Sequence, residues 1–476
     1  MAITSTVFVF FFLPISLIIY YLVGDTAKKY VLLVISLLFY ACGSLQYLIL
    51  FVLLTIANVC IGRVLSQIKT KSVLAKILLV FGVLLNVFIL CYYKYTDFGL
   101  SIFGRIFNVE VTARNLVLPL GISFFTFKAI SYLADIYNGK AELQENPVHD
   151  LLYLSFFAQV QSGPLSRYNE MNTLWVGIPY SGSIAFEYLS NGIYRFLIGF
   201  GKKIILSNVL YNITSEIFAA DFANVSTGYL WLGSICYSMQ LFFDFAGYSD
   251  MAIGISKMFG YDCMENFNYP YMTESVSKFW RRWHISLSSW FRDYVYIPLG
   301  GSRCKTWRVY LNLFVVWTLT GIWHGAAWNF IAWGIGFFVL IAFEKATKLP
   351  DRIHSKIGKG IYRIFTLLFI NFEWVLFNSK SLIDAIRYIK RMIIYTPNAL
   401  SDRRALFLMK DNWFFILIGL VLCFPVVSWI EQKLSQKTKC LYVYHAVLGV
   451  IVFAAAVWAI SFVISGQNNP FAYANF

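Results

Sequence analysis

Two histidines stand where an imidazole could do chemistry rather than packing alone. His324 lies in Trp317-Thr-Leu-Thr-Gly-Ile-Trp-His-Gly-Ala-Ala-Trp328, deep in an apolar region between two predicted helices. An ionisable side chain at that depth is costly, which makes it a functional candidate by default. Gly321 and Gly325 flank it and allow another backbone or a substrate to approach closely. Trp323 and Trp328 are placed to wall a pocket and keep water out. The competing reading is a neutral core histidine bonded to a backbone carbonyl, a common fate of buried imidazoles. A histidine titrating near neutrality can act as a general base, which typically contributes about 10²- to 10⁴-fold. His324 is the candidate base.

His284 sits in Ser277-Lys-Phe-Trp-Arg-Arg-Trp-His-Ile-Ser-Leu-Ser-Ser-Trp-Phe-Arg-Asp293. Between Lys278 and Arg308 seven basic residues accompany a single acid, Asp293. Composition alone favours an anchoring helix that snorkels its arginines to lipid phosphates. The functional alternative is a docking surface for a phosphate-bearing donor, with Arg281, Arg282 and Arg292 as its grip, because planar guanidinium groups suit phosphate. The other histidines fit blander roles: His149 and His354 fall in polar loops, and His445 opens the last helix.

Two further sets carry polar groups into apolar surroundings. Gln240, Asp244 and Tyr248 recur at i, i+4 and i+8, a stripe that serves either as a hydrophilic tunnel wall or as helix–helix glue. Gln159-Val-Gln-Ser-Gly-Pro-Leu-Ser-Arg167 reads as a broken re-entrant hairpin. No P-loop, GxSxG or HExxH is present, so a nucleotide-driven pump, a serine hydrolase and a zinc protease lack their usual signatures.

The elements that must position these groups are membrane helices. Of 476 residues, 59% are hydrophobic and 13% charged, and no polar stretch is long enough to cover a soluble domain. Mean hydropathy is +0.65. The fold class is therefore an all-α polytopic membrane protein, with residues 1–476 forming one membrane-embedded unit. Spans of about 18 residues or more are expected near 6–23, 30–45, 47–62, 76–93, 226–245, 309–344 (two passes), 360–377, 412–430 and 442–464. Gly43 punctuates the second and third. Segments 115–134, 151–164 and 185–220 contain Gly, Pro and polar residues, and are expected as re-entrant or buried pieces.

The net charge of +15 comes from basic runs between apolar segments, which fits anchoring at a cytoplasmic leaflet rather than nucleic-acid binding. Lys28 and Lys29 mark one cytoplasmic loop, and Arg63, Lys69, Lys71 and Lys76 another. Lys433, Lys437 and Lys439 mark the last, so both termini are expected outside. Segment 140–150, with Glu142, Glu145 and Asp150, fits the outer side. In segment 380–396, Leu382, Ile383, Ile386, Ile389 and Ile393 share a face opposite Asp384, Arg387 and Arg391, the pattern of an interfacial helix. The eight cysteines are scattered without a CxxC, so no metal site or disulfide frame is indicated.

The chain resembles the membrane-bound O-acyltransferases, in particular the bacterial polysaccharide O-acetylation branch. The resemblance rests on Leu118-Pro-Leu-Gly-Ile-Ser-Phe-Phe-Thr-Phe127, Gly163-Pro164 with Arg167, Asp244-Phe-Ala-Gly-Tyr-Ser-Asp250, Phe279-Trp-Arg-Arg-Trp-His-Ile-Ser-Leu287, Tyr296-Ile-Pro-Leu-Gly-Gly301, Trp323-His-Gly325 and a terminal Asn469-Pro-Phe. These occur in the family's order over most of the chain. Lys128 departs from the glutamine expected there, and the ending Phe471-Ala-Tyr-Ala-Asn-Phe476 is weaker in aromatics than usual.

The resemblance implies a ring of membrane helices around a central funnel or tunnel, with re-entrant and interfacial helices. His324 becomes the principal catalytic residue and His284 the second active-site histidine. It implies no bound cofactor, with acetyl-CoA or an acyl-carrier thioester as cytoplasmic donor. Exported polysaccharide, such as alginate or peptidoglycan, is the implied acceptor, and an extracytoplasmic partner with an SGNH-hydrolase-like domain often completes the transfer. The implied location is the bacterial inner membrane. D-alanyl transfer from a carrier protein to teichoic acid is the alternative within the family. A solute transporter or flippase using Asp244, Gln240 and His324 is the alternative from another class, although no inverted repeat is apparent.

Overall fold

The computed structural model describes residues 1–172, 182–222, 224–394 and 401–466. The terminal Asn469-Pro-Phe and the 471–476 tail lie outside the described residues. The chain divides into two compact units, Met1–Phe196 with Ser249–Glu265, and Leu197–Tyr248 with Asn266–Phe476.

The first unit is built from α1 (Leu13–Leu22), α2 (Asp25–Ser44), α3 (Leu48–Gln67), α4 (Val73–Phe107), α5 (Ile122–Tyr137) and α6 (Pro147–Ser155). The break between α2 and α3 falls just after Gly43, where Ser44 leaves the helical region with φ −160° and ψ 61°. Helix α5 is buried on nearly every side and faces protein, which explains its weak hydropathy, and Lys128 and Ser131 find partners there. Lys128 Nζ lies 3.2 Å from Gln159 Oε1 and 4.6 Å from the Tyr153 ring centroid. Gln159 Nε2 in turn donates to Ser166 Oγ at 2.9 Å. The segment after α6 is one short turn, Phe157–Val160, followed by buried non-helical chain, as the broken-hairpin reading expects.

One sidedness expectation is overturned within this unit. Arg63 belongs to α3, and its Nη2 reaches Asp150 Oδ2 at 2.9 Å and the Gln144 carbonyl at 2.8 Å. Asn146 also donates to the Tyr30 hydroxyl at 3.0 Å, beside Lys28 and Lys29. Segment 140–150 therefore lies on the same side as the two basic loops, not across the membrane from them. Acidic residues carry little orientation signal, so an excess of Glu and Asp was a poor guide.

The second unit contains α8 (Asn208–Ala219), α10 (Val276–Phe279), α11 (Ile285–Phe291), α12 (Thr306–His324), α13 (Trp328–Thr347), α14 (Lys356–Asn378), α15 (Leu382–Ile393), α16 (Arg403–Leu422) and α17 (Thr438–Ile464). The unit boundaries fall inside α7 (Ser183–Gly201) and α9 (Thr227–Met258). Segment 185–220 is thus helical almost throughout, continuing from α7 through a π turn at Lys202–Ser207 into α8.

Among the described residues, six helical stretches are long and apolar enough to cross a membrane: Asp25–Gln67, Val73–Phe107, Trp328–Thr347, Lys356–Asn378, Arg403–Leu422 and Thr438–Ile464. The expected spans at 6–23, 226–245 and the first pass of 309–344 do not reach that standard. The first has only the shorter apolar helix Phe8–Leu22. Helix α9 is long enough but polar, and it is enclosed by protein along most of its length, where a helix need not be apolar. The chain is an all-α, multi-pass membrane protein.

Helix α15 is held by a third face that periodicity did not single out. Tyr388 donates to the Leu230 carbonyl at 2.8 Å, and Trp231 Nε1 donates to the Met392 carbonyl at 3.0 Å. Ile383, Ile386 and Ile393 point outward, more than half exposed, as a lipid-contacting row requires.

Helices α12 and α13 form a hairpin around the short link Gly325–Ala327, and glycines set its closeness. A Cβ on Gly334 would lie 2.4 Å from the Trp317 carbonyl oxygen, and one on Gly321 would lie 2.5 Å from that of Phe330. Gly334→Ala should lower stability by about 1–3 kcal/mol through overpacking. Gly360→Ala, on open helix surface, should leave stability unchanged or slightly raised. Thermal unfolding in detergent checks both; equal melting of the two variants would contradict the close-packed hairpin.

Candidate active site

The stretch leading to His284 sorts its residues by face. Trp283 is buried, its ring 5.1 Å from Phe267, 5.5 Å from Phe279 and 4.8 Å from Trp374, while Arg281 is exposed. Aromatic rings thus anchor the stretch, and the arginines are left towards solvent. Two backbone bonds clamp the turn: Asn268 N–H donates to the Arg282 carbonyl and Ile285 N–H to the Asn266 carbonyl, both at 2.9 Å. His284 adopts a left-handed conformation (φ 45°, ψ 54°), which a non-glycine residue rarely takes without such support.

The start of this stretch is fixed by an acid that sequence reasoning passed over. Glu344, buried on α13, accepts the Val276 and Ser277 N–H groups at 2.8 Å each and the Tyr362 hydroxyl at 2.9 Å. It satisfies orphan donors at the first turn of α10 and places negative charge at the positive end of that turn. The available signal was a lone carboxylate in an apolar span. Glu373 on α14 gives the same signal. It is buried against Gly336, and its Oε2 finds no hydrogen-bond partner among the described residues.

His324 ends α12 and is 2% exposed. Its ring centroid lies 4.7 Å from Trp323, 4.8 Å from Trp333 and 5.2 Å from Phe377. Trp333 and Phe377 were not legible as partners, since they come from α13 and α14. Trp328, expected to wall the pocket, is instead 52% exposed. The glycines beside His324 admit protein: a Cβ on Gly325 would collide with the Phe330 ring.

The two histidines meet at one indole. Trp323 lies 4.7 Å from His324 and 6.4 Å from His284, centroid to centroid. Phe245 of α9 closes on His284 from another side at 4.5 Å. Burial pushes the His284 imidazole well below its ordinary pKa, so the ring is neutral at pH 7.

The Gln240, Asp244, Tyr248 stripe is buried, with its polar groups engaged inside the protein. Asp244 pairs with Lys203 and accepts from Ser207 Oγ at 3.0 Å; Gln240 accepts from Thr214. Lys203 and Ser207 both lie in the π turn ahead of α8, so these contacts tie that turn and α8 to α9. Of the three arginines, Arg292 grips its neighbour Asp293 through Nε at 2.7 Å and Nη2 at 3.1 Å. Arg282 makes a long contact of 3.4 Å to the Asn268 carbonyl. His149 opens helix α6 rather than lying in a loop, while His354 and His445 are exposed and distant in sequence from the site.

Two buried histidines thus share an aromatic wall inside an all-α multi-pass membrane protein. The model of the membrane-bound O-acyltransferase family matches residues 146–377, which include both histidines. The chain is 36% identical over 434 residues to a probable alginate O-acetylase of Pseudomonas aeruginosa, covering 90% of this chain and 81% of that one. It is 34% identical over 420 residues to a peptidoglycan O-acetyltransferase of Helicobacter pylori, covering 82% and 79%. A teichoic acid D-alanyltransferase of Bacillus subtilis is 34% identical over 284 residues, covering 56% and 70%. The chain belongs to the membrane-bound O-acyltransferase family and is an O-acyltransferase.

Glu344→Ala strips the acceptor from three donors and should cost about 1–3 kcal/mol for each that stays buried and unpaired. Glu344→Gln keeps one carbonyl oxygen and should lose less. Melting temperature and acyl transfer, measured side by side, should fall in the order wild type, Gln, Ala; an Ala variant equal to wild type would exclude the capping role.

Proposed function

We propose that this enzyme takes an acetyl group from a cytoplasmic thioester and passes it across a bacterial cell membrane for O-acetylation of an extracytoplasmic polysaccharide. The observation that carries the proposal is the pair of buried histidines on either side of Trp323. The near full-length similarity to a probable alginate O-acetylase and a peptidoglycan O-acetyltransferase supports the choice of acyl group and acceptor class.

In this reading His324 removes the acceptor hydroxyl proton as the oxygen bonds to the thioester carbonyl, and the thiolate leaves towards the cytoplasm. The rings around the site keep water from taking the acyl group. Arg281 and Arg282 hold donor phosphates at the cytoplasmic mouth, with Arg292 moderated by Asp293. The donor is acetyl-CoA or an acyl-carrier thioester. An exported SGNH-hydrolase-like protein receives the acetyl group on the far side, where both termini of this chain lie. Trp323 lines the path; Gln240, Asp244 and Tyr248 brace its wall from α9. D-alanyl transfer is the second reading, favoured by the similarity to the teichoic acid enzyme over 56% of this chain.

Purified enzyme in liposomes, offered labelled acetyl-CoA and an alanyl-charged carrier protein in parallel, should turn over the first and ignore the second. His324→Ala should lower transfer by about 10²- to 10⁴-fold while melting as a folded protein. Wild-type turnover in that variant would sink the catalytic assignment, and preference for the carrier would favour the D-alanyl reading.

A further inference from the structure

His284 is held by one side chain whose geometry also fixes its proton. Asn266 Oδ1 lies 3.2 Å from the Ser286 backbone nitrogen, 2.8 Å from Ser286 Oγ and 3.1 Å from His284 Nδ1. A backbone N–H can only donate, so the amide atom facing it must be the oxygen; the side chain cannot be turned the other way. That oxygen can only accept, so His284 Nδ1 must bring a hydrogen to it. In a neutral imidazole the other nitrogen then carries a lone pair. His284 Nε2 is that nitrogen, and it is buried without a hydrogen-bond partner among the described residues.

We infer that Asn266 is a positioning residue that keeps His284 as its Nδ1–H tautomer and so presents Nε2 as a proton acceptor in the acyl-transfer site. The inference rests on the acyl-transfer reading of the two histidines and deepens it, giving His284 a proton-accepting role beside His324. The backbone contributes too. The Asn266 carbonyl accepts Ile285 N–H at 2.9 Å, so one residue holds both the strained turn and the ring it presents. The packed elements bring few titratable groups. On α9, Phe245 makes the contact, and its neighbour Asp244 is occupied by Lys203. On α12, Trp323 makes the contact and His324 follows it. Burial is the resolved cause acting on the His284 proton affinity.

The test combines two measurements. In wild-type protein, the histidine nitrogen resonances that vanish in His284→Gln should show the Nδ1–H tautomer; an Nε2–H tautomer overturns the inference whatever the activity. Release of coenzyme A thiol from acetyl-CoA is then followed against pH. Asn266→Ala should lower kcat by about ten- to a hundredfold with KM for acetyl-CoA little changed, the order of loss that removing a supporting hydrogen bond brings. Asn266→Asp sets a carboxylate against Nδ1–H and stabilises the imidazolium. The neutral ring then persists only at higher pH, and the acid limb of kcat/KM should move upward. In a His284→Gln background neither substitution should add further loss or move the limb. If His284→Gln is inert but Asn266→Asp keeps the wild-type profile, the positioning role fails while the acyl-transfer reading stands. If His284→Gln turns over at the wild-type rate, the functional reading of that histidine fails and the inference with it.

Discussion

A polar group that leaves water for an apolar interior costs several kcal/mol unless another polar group replaces the lost hydrogen bonds. In a chain that is 59% hydrophobic, this constraint acts wherever a charged side chain is buried against a partner. Glu344 is buried because two backbone N–H groups and a phenol meet it. Asp244 is buried because Lys203 and Ser207 meet it. Arg63 and Asp150 meet within the first unit for the same reason. Glu344, Asp244 and Asp150 each fix the position of the elements that answer them.

The candidate site is assembled from those obligations. Glu344 sets the start of α10, and the aromatic anchors Phe279 and Trp283 set the course of the chain from there. Asn266 then closes the turn at His284. On the other side, the glycine contacts of α12 and α13 bring Trp333 against His324. The site is dry because rings surround it, and in a dry site a single hydrogen bond can select the tautomer of a histidine. Polar atoms whose bonds are already made position the ring, and Nε2 is left without a partner among the described residues.

The sequence readings that went wrong share a cause. Hydropathy measures how well a segment tolerates lipid, yet α9 and α5 are largely enclosed by protein and carry polar residues freely. Charge counting placed segment 140–150 on the wrong side because its acids were taken as an outward signal, when Asp150 is buried against Arg63 of α3. Trp328 was assigned to a wall from its proximity to His324 in the chain, but the helix that it opens turns it outward.

What the residue order determined by itself was the class: membrane-embedded, all helical, with His284 and His324 as the candidate histidines. Composition and local motif suffice for that, because apolar runs of spanning length and an imidazole among them are properties of contiguous sequence. Only the tertiary structure decided which residues serve those histidines. Trp333 and Glu344 come from α13, Phe377 from α14 and Asn266 from the chain ahead of α10, and nothing local marks them as neighbours of one site. Hydrogen bonds and ring contacts act over a few ångströms of space irrespective of chain distance, so the tautomer of His284 was settled by packing and not by any motif.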